Sequence, residues 1–128
     1  MKTELRPAGI DISVSTQYLQ EQSDPANKRF VFAYTIGIAN KREQPVKLIS
    51  RHWIITDDND KVEEVRGSGV LGQQPLIAPG QVFHYTSGAV LTTEFGTMQG
   101  SYEMLSADGE TFAAPIPAFL LSRPLTVH

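Results

Sequence analysis

Residues 30–40 place large apolar side chains at every second position. Phe30, Phe32, Tyr34, Ile36 and Ile38 fall on one side of an extended chain, and Val31, Ala33, Thr35 and Gly37 fall on the other. A period of two belongs to a β-strand. A strand that is bulky on one face and small on the other suits the centre of a sheet packed on a second sheet. Residues 10–19 alternate in the same way, with Ile10, Ile12, Val14, Thr16 and Tyr18 on one face. Between the two, Gln20 to Lys28 is polar, contains Pro25 and reads as a loop.

Further strands follow at short spacing. A charged turn at Asn40 to Pro45 leads to a strand over 46–56, which holds the only tryptophan, Trp53. The polar turn Asp57-Asp58-Asn59-Asp60 leads to a short strand over 61–66. After the turn at Pro79-Gly80, residues 81–90 set Val82, His84 and Thr86 against Phe83, Tyr85 and Ser87. Residues 97–105 carry Met98, Gly100, Tyr102 and Met104 on one face, and Asp108-Gly109 signals a hairpin into 111–116. Pro115, Pro117 and Pro124 mark the C-terminal segment as an edge strand or extended tail. No segment of ten or more residues has the helical period. The fold class is therefore all-β: a β-sandwich of two antiparallel sheets with about seven strands.

A chain of 128 residues implies one domain over residues 1–128. Such a chain buries roughly 65–70% of its unfolded surface, so it builds a core without staples. It has no cysteine, which fits a reducing cytosol and removes disulfides and thiolate metal sites. No apolar run follows Met1-Lys2-Thr3-Glu4, so no signal peptide is expected, and no apolar stretch is long enough to span a bilayer. The net charge of −3 argues against a general nucleic-acid binder.

One motif cuts across this pattern. Gly67, Gly69 and Gly72 form a G-x-G-x-x-G run. In a dinucleotide-binding fold that run opens a helix whose N-terminus holds the pyrophosphate. Here Pro75 follows too soon for an undisturbed helix, and Pro79-Gly80 would stop one. Two readings stay open. The glycines either make a bent connection between sheets, or free backbone N–H groups to cradle a phosphate, with Arg66 adding a charge. The candidate phosphate-binding residues are thus Arg66, Gly67, Gly69 and Gly72.

Other chemistry-bearing residues read more simply. Asp57, Asp58 and Asp60 could ligate Mg²⁺ or Ca²⁺ through oxygen, but their spacing matches no calcium loop and suits a solvated turn. His52 and His84 would make a transition-metal pair only by meeting across the sheets, and His128 stands at the end of the chain. Ser87 and Ser101 lack a nucleophile-elbow context, so no catalytic residue is expected, nor any cofactor or metal site. Trp53, Tyr85, Tyr102, Phe112 and Phe119 should mostly be core.

Taken in order, several runs resemble the ApaG family. They are Gly67 to Pro75, Pro79-Gly80, Tyr85-Thr86-Ser87-Gly88, Gly96-Thr97-Met98-Gln99-Gly100-Ser101-Tyr102 and Ile116-Pro117-Ala118-Phe119. The resemblance covers nearly the whole chain, from about Ile10 to Leu121. It implies a fibronectin type III-like, immunoglobulin-like sandwich and a bacterial cytosolic protein. It also implies a tie to divalent-cation homeostasis, namely cobalt tolerance and magnesium efflux. The family's gene often neighbours that of a diadenosine tetraphosphate hydrolase. The family's glycine motif has been viewed as a pyrophosphate site, which maps here to Gly67, Gly69 and Gly72. Its domain also occurs in an F-box protein and a polymerase-δ-interacting protein, which points toward protein recognition.

The expected function is therefore a non-enzymatic protein-interaction module with an unidentified protein partner. The alternative is a nucleotide or pyrophosphate binder at the glycine loop, with or without Mg²⁺. No nucleic-acid or membrane partner is expected. Exposed edge strands leave room for a homodimer.

Overall fold

The computed structural model describes residues 9–124, so Met1 to Glu4 and His128 lie outside the described residues. Eight strands appear among them: β1 (Ile10–Tyr18), β2 (Phe30–Asn40), β3 (Val46–Asp57), β4 (Val62–Ser68), β5 (Leu76–Ile77), β6 (Val82–Leu91), β7 (Phe95–Ser106) and β8 (Thr111–Ser122). Single 3-10 turns at Gln20–Gln22 and Pro25–Asn27 fill the expected loop. The sheets are β1-β2-β6 and β4-β3-β7-β8, with the short β5 pairing beside β4 on β3. Every strand pairing is antiparallel. The expected sandwich is present, with one short strand more than the periodicity showed.

The core lies between the sheets. Phe32, Ile36 and Ile38 of β2 face Leu48 and Trp53 of β3, Met98, Tyr102 and Met104 of β7, and Leu121 of β8, all of them buried. Burying each such side chain contributes about 1.5–3 kcal/mol. Trp53 packs edge-on against Tyr102 and Phe119, with ring centroids 6.3 and 5.9 Å away. Asn40 is the one buried polar side chain among the described residues. Its amide donates to the carbonyls of Gln44 and Ile77, each at 2.9 Å, and its Oδ1 accepts from the Arg42 N–H. That network ties the β2–β3 turn to β5 and so anchors the far end of the glycine loop.

Two boundaries differ from the alternation reading. β4 does not stop at Arg66, because Gly67 and Ser68 continue the ladder opposite Arg51 and Ser50. β8 runs through Pro115 and Pro117 to Ser122, which an edge strand tolerates because half its N–H groups face away from the sheet.

Candidate functional site

β3 carries an irregularity that decides which of its side chains enter the sandwich. Its register with β7 shifts between Leu48 and Ser50, so one extra residue is inserted there. A bulge of this kind reverses the in–out phase of the strand. Val46 and Leu48 face inward before it, and Trp53 faces inward after it. Arg51, two residues before Trp53, therefore points between the sheets and is half-buried.

Arg51 is held in place. Its Nη1 donates to the Ser68 carbonyl at 3.1 Å and the Gly69 carbonyl at 2.9 Å. Its guanidinium lies flat over Gly67, where a Cβ would stand 2.7 Å from Cζ, Nη1 and Nη2 alike. Nε and Nη2 have no hydrogen-bond acceptor among the described residues, and neither is fully buried. Arg51 borders a cleft of about 290 Å³ between the edges of the two sheets. Tyr34, Tyr85 and Ser87 line it from the smaller sheet, and Ser68, Val70, Leu71 and Gly72 from the other side. A cation with open donors, flanked by hydroxyls and with no carboxylate in the lining, suits an anionic group.

The structure brings only part of the sequence-predicted set to this cleft. Arg66 lies on the outer face of the larger sheet, mostly exposed, with Nη2 3.5 Å from the Glu64 carboxylate. The Gly69 N–H donates to the Ile49 carbonyl, and Val70 and Gln73 exchange both backbone hydrogen bonds. Those N–H groups are turned to the protein's own carbonyls. Leu71 (φ +49) and Gly72 (φ +76) form the two-residue centre of a tight hairpin turn that requires positive φ at both positions. Gly69 (φ +59) lies so close to the Gln73 carbonyl that a Cβ would meet its oxygen at 2.1 Å. The glycines therefore shape a turn and seat Arg51. Leu71 is unusual: an exposed leucine, at 61%, in the left-handed region, where its strain is about 1–2 kcal/mol.

Beneath the cleft, the hydroxyls of Tyr85 and Tyr102 share a hydrogen bond at 2.5 Å. Burial pushes the Tyr85 phenol up to about 12, opposed by its bond to Tyr102 and the charge of Arg51. Burial, together with Tyr85, pushes Tyr102 higher still. A phenol whose pKa is raised by folding stabilises the folded state fully below its unfolded pKa of about 10. Above that pH the unfolded chain loses the proton first. Stability should then fall by about 1.4 kcal/mol per pH unit per phenol until the folded phenol ionises. Urea midpoints across this range check it, and the double variant Tyr85→Phe/Tyr102→Phe should flatten the slope.

The other candidates stand apart. Asp57 Oδ1 accepts from the N–H groups of Asn59 and Lys61 and so closes its own turn. His52 contacts Glu64 at 2.8 Å on the outer face of the larger sheet. His84 packs against Gly37 on the outer face of the smaller one, so the two histidines do not meet. Hydrogen bonding to His52 holds the Glu64 carboxyl below its ordinary value. Ser101 pairs beside His52 on the outer face, whereas Ser87 lines the cleft. Tyr85 and Tyr102 are core and Trp53 lies between them and Phe119, while Phe112 and Phe119 pack against the core partly buried. A cavity of about 610 Å³ lies at the other end between Phe30, Thr93 and Phe95. Its Arg123 already faces Glu94 at 3.7 Å.

Arg51 escaped the sequence reading because alternation counted forward from Val46 puts it on the outer face. Only the inward demand of Trp53, five residues after Leu48 rather than four or six, hints at the bulge.

The comparisons with known proteins agree with this fold. The ApaG domain profile matches residues 20–106. The chain is 55% identical to Protein ApaG of Dechloromonas aromatica over 119 residues, covering 93% of this chain and 94% of that protein. It is 57% identical to Protein ApaG of Thiobacillus denitrificans, with the same coverage. It superposes on the crystal structure of the ApaA protein from Bordetella pertussis with a TM-score of 0.88 and 52% identity, covering 91% of this chain and 95% of that one. A protein from Archaeoglobus fulgidus shares the fold alone, with a TM-score of 0.55 at 9% identity. A profile match over most of the chain and identity above one half across nearly its full length settle the kinship: the chain belongs to the ApaG family.

Proposed function

We propose that the protein is a non-enzymatic recognition module, a single domain over residues 1–128, that takes an extended segment of a partner protein along β6. One observation carries this reading. Of the four edge strands longer than the two-residue β5, β6 alone has neither charge nor proline. β1 carries Asp11, β4 carries Glu63, Glu64 and Arg66, and β8 carries Pro115 and Pro117. Charges and prolines are how proteins blunt free edges. A ten-residue edge without them is suited to β-augmentation, in which main-chain hydrogen bonds supply affinity and side-chain pockets supply choice.

A nucleotide or pyrophosphate at the glycine loop has less support, because the Gly69 and Val70 N–H groups already have protein acceptors. The family's tie to cobalt tolerance and magnesium efflux then runs through the partner. Among the described residues no group of three His, Asp or Glu is placed to hold a metal ion. The reading places the protein in the cytosol, in keeping with its lack of cysteine. No helix among the described residues is long and apolar enough to cross a membrane.

A photo-crosslinking residue tests the edge directly. Placed at Val90 on β6 it should give a discrete adduct in cells, while the same residue at Gln17 on β1 should give none. Adducts from Gln17 but not Val90 would put the recognition surface elsewhere. An adduct of twice the chain mass would mean that β6 pairs with a second copy instead.

A further inference from the structure

The side of the sandwich where β6 faces β4 is open, and it holds a second cleft besides the one at Arg51. This one, also about 290 Å³, has apolar walls at Ile55 and Val62 on one side and at Val90 and Leu91 on the β6 side, with Asp57, Lys61, Glu63 and Thr92 completing its lining. Val62 and Val90 are exposed at its rim, 57% and 51%. The two clefts are addressed by the same strand. Ser87 lines the first and Leu91 the second. Both face inward, in register with the buried Tyr34 and Phe30 of β2. Four residues of strand separate them, about 13–14 Å.

A strand added to β6 would extend these cross-strand rows by one place. Its residue opposite Ser87 would project into the Arg51 cleft, and its residue opposite Leu91 into the second cleft, against the side chains of Ile55, Val62 and Leu91. The first cleft is lined by Arg51, whose Nε and Nη2 have no acceptor among the described residues, and by the hydroxyl residues Tyr34, Tyr85 and Ser87, with no carboxylate. Leu71, strained and exposed, stands at its rim, where its side chain can cover the stem of an incoming residue.

From this geometry, and resting on the β6 reading above, we infer that the partner segment is an acidic strand. It carries Asp or Glu facing Arg51 and an apolar residue four positions away. In antiparallel pairing, the commoner arrangement in sheets, the order is apolar-x-x-x-acidic. The main chain of β6 binds any extended segment, and the two clefts select among them. Arg51 selects by charge, because a guanidinium with open donors left beside a neutral side chain keeps its desolvation cost without a partner.

Selection of randomised decapeptides displayed against the full-length protein tests this, followed by amide NMR with the enriched peptides. The expected pool has an acidic residue four places from an apolar one, and the peptides shift the β6 amides. Replacing the acidic residue by glutamine should weaken binding about tenfold to a hundredfold. That comparison needs no change in the protein. Ser87→Leu, which fills the first cleft without removing Arg51, should abolish the preference for acid. Peptides that shift β6 amides with no acidic preference would overturn the inference and leave the edge reading standing. Acidic peptides that bind without moving β6 amides would overturn the edge reading, and this inference with it. A pool that fails to enrich would overturn both.

Discussion

Trp53→Ala should destabilise the protein by about 3–5 kcal/mol, a large share of the stability of a domain this size. Trp53 is 2% exposed and stands edge-on to three rings, those of Tyr34, Tyr102 and Phe119. Alanine removes that ring volume from the middle of the sandwich, and both sheets are too well paired to collapse into the gap. Urea unfolding followed by circular dichroism measures it, since the variant also loses the only tryptophan fluorophore. Trp53→Phe should cost less, about 1–2 kcal/mol. The Trp53 indole N–H is buried without an acceptor, and phenylalanine removes that unsatisfied donor together with the lost volume. If alanine and phenylalanine cost the same, the aromatic cluster is not what holds the two sheets together.

Gly100→Ala should be comparably severe, about 3 kcal/mol or more. Gly100 sits on β7 opposite Trp53, beside a second register shift between β7 and β8. A Cβ there would lie 1.9 Å from the His52 carbonyl oxygen and 3.0 Å from its carbon. Those atoms belong to the backbone of β3, which is paired along both edges and has no room to retreat. The readout is the urea midpoint or, if little folded protein accumulates, the soluble yield. A variant of near-native stability would mean that β3 can shift away from β7 at this point.

Much of the fold was legible because it rests on a period of two. Phe30, Phe32, Tyr34, Ile36 and Ile38 announced β2, and Met98, Tyr102 and Met104 announced β7. Asp108-Gly109 marked a real turn, with Gly109 at φ +88. Where alternation failed, a local irregularity was the cause. Gly67 and Ser68 looked like the start of a loop, yet they pair with β3, and Gly67 gives the Arg51 guanidinium a bare backbone to lie on. The site was less legible for the same kind of reason. Arg66 adjoins the glycines in sequence, but strand alternation turns it to the outer face. Arg51 is distant in sequence and was brought inside by one inserted residue on β3. Proximity along the chain and proximity in a sheet are different quantities, and a bulge leaves almost no trace in composition. The two clefts beside β6 depend on which strands end up at the edges, which alternation does not encode.

The order β4-β3-β7-β8 has a consequence for how the chain is made. β3 can form a hairpin with β4 as soon as both have been synthesised, but its other edge belongs to β7, whose first residue opposite Asp57 is Gly96. At about 5–20 residues per second, a ribosome takes roughly two to eight seconds to cover that interval. Throughout it, Trp53 and Ile55 have no second sheet edge to complete, and β2 must wait as well for β6. The larger sheet can therefore close only late in synthesis, around a long-range pairing of the kind that folds slowly. The nascent chain spends those seconds with the central strands of both sheets half-paired, which makes this the interval in which a chaperone would act on it.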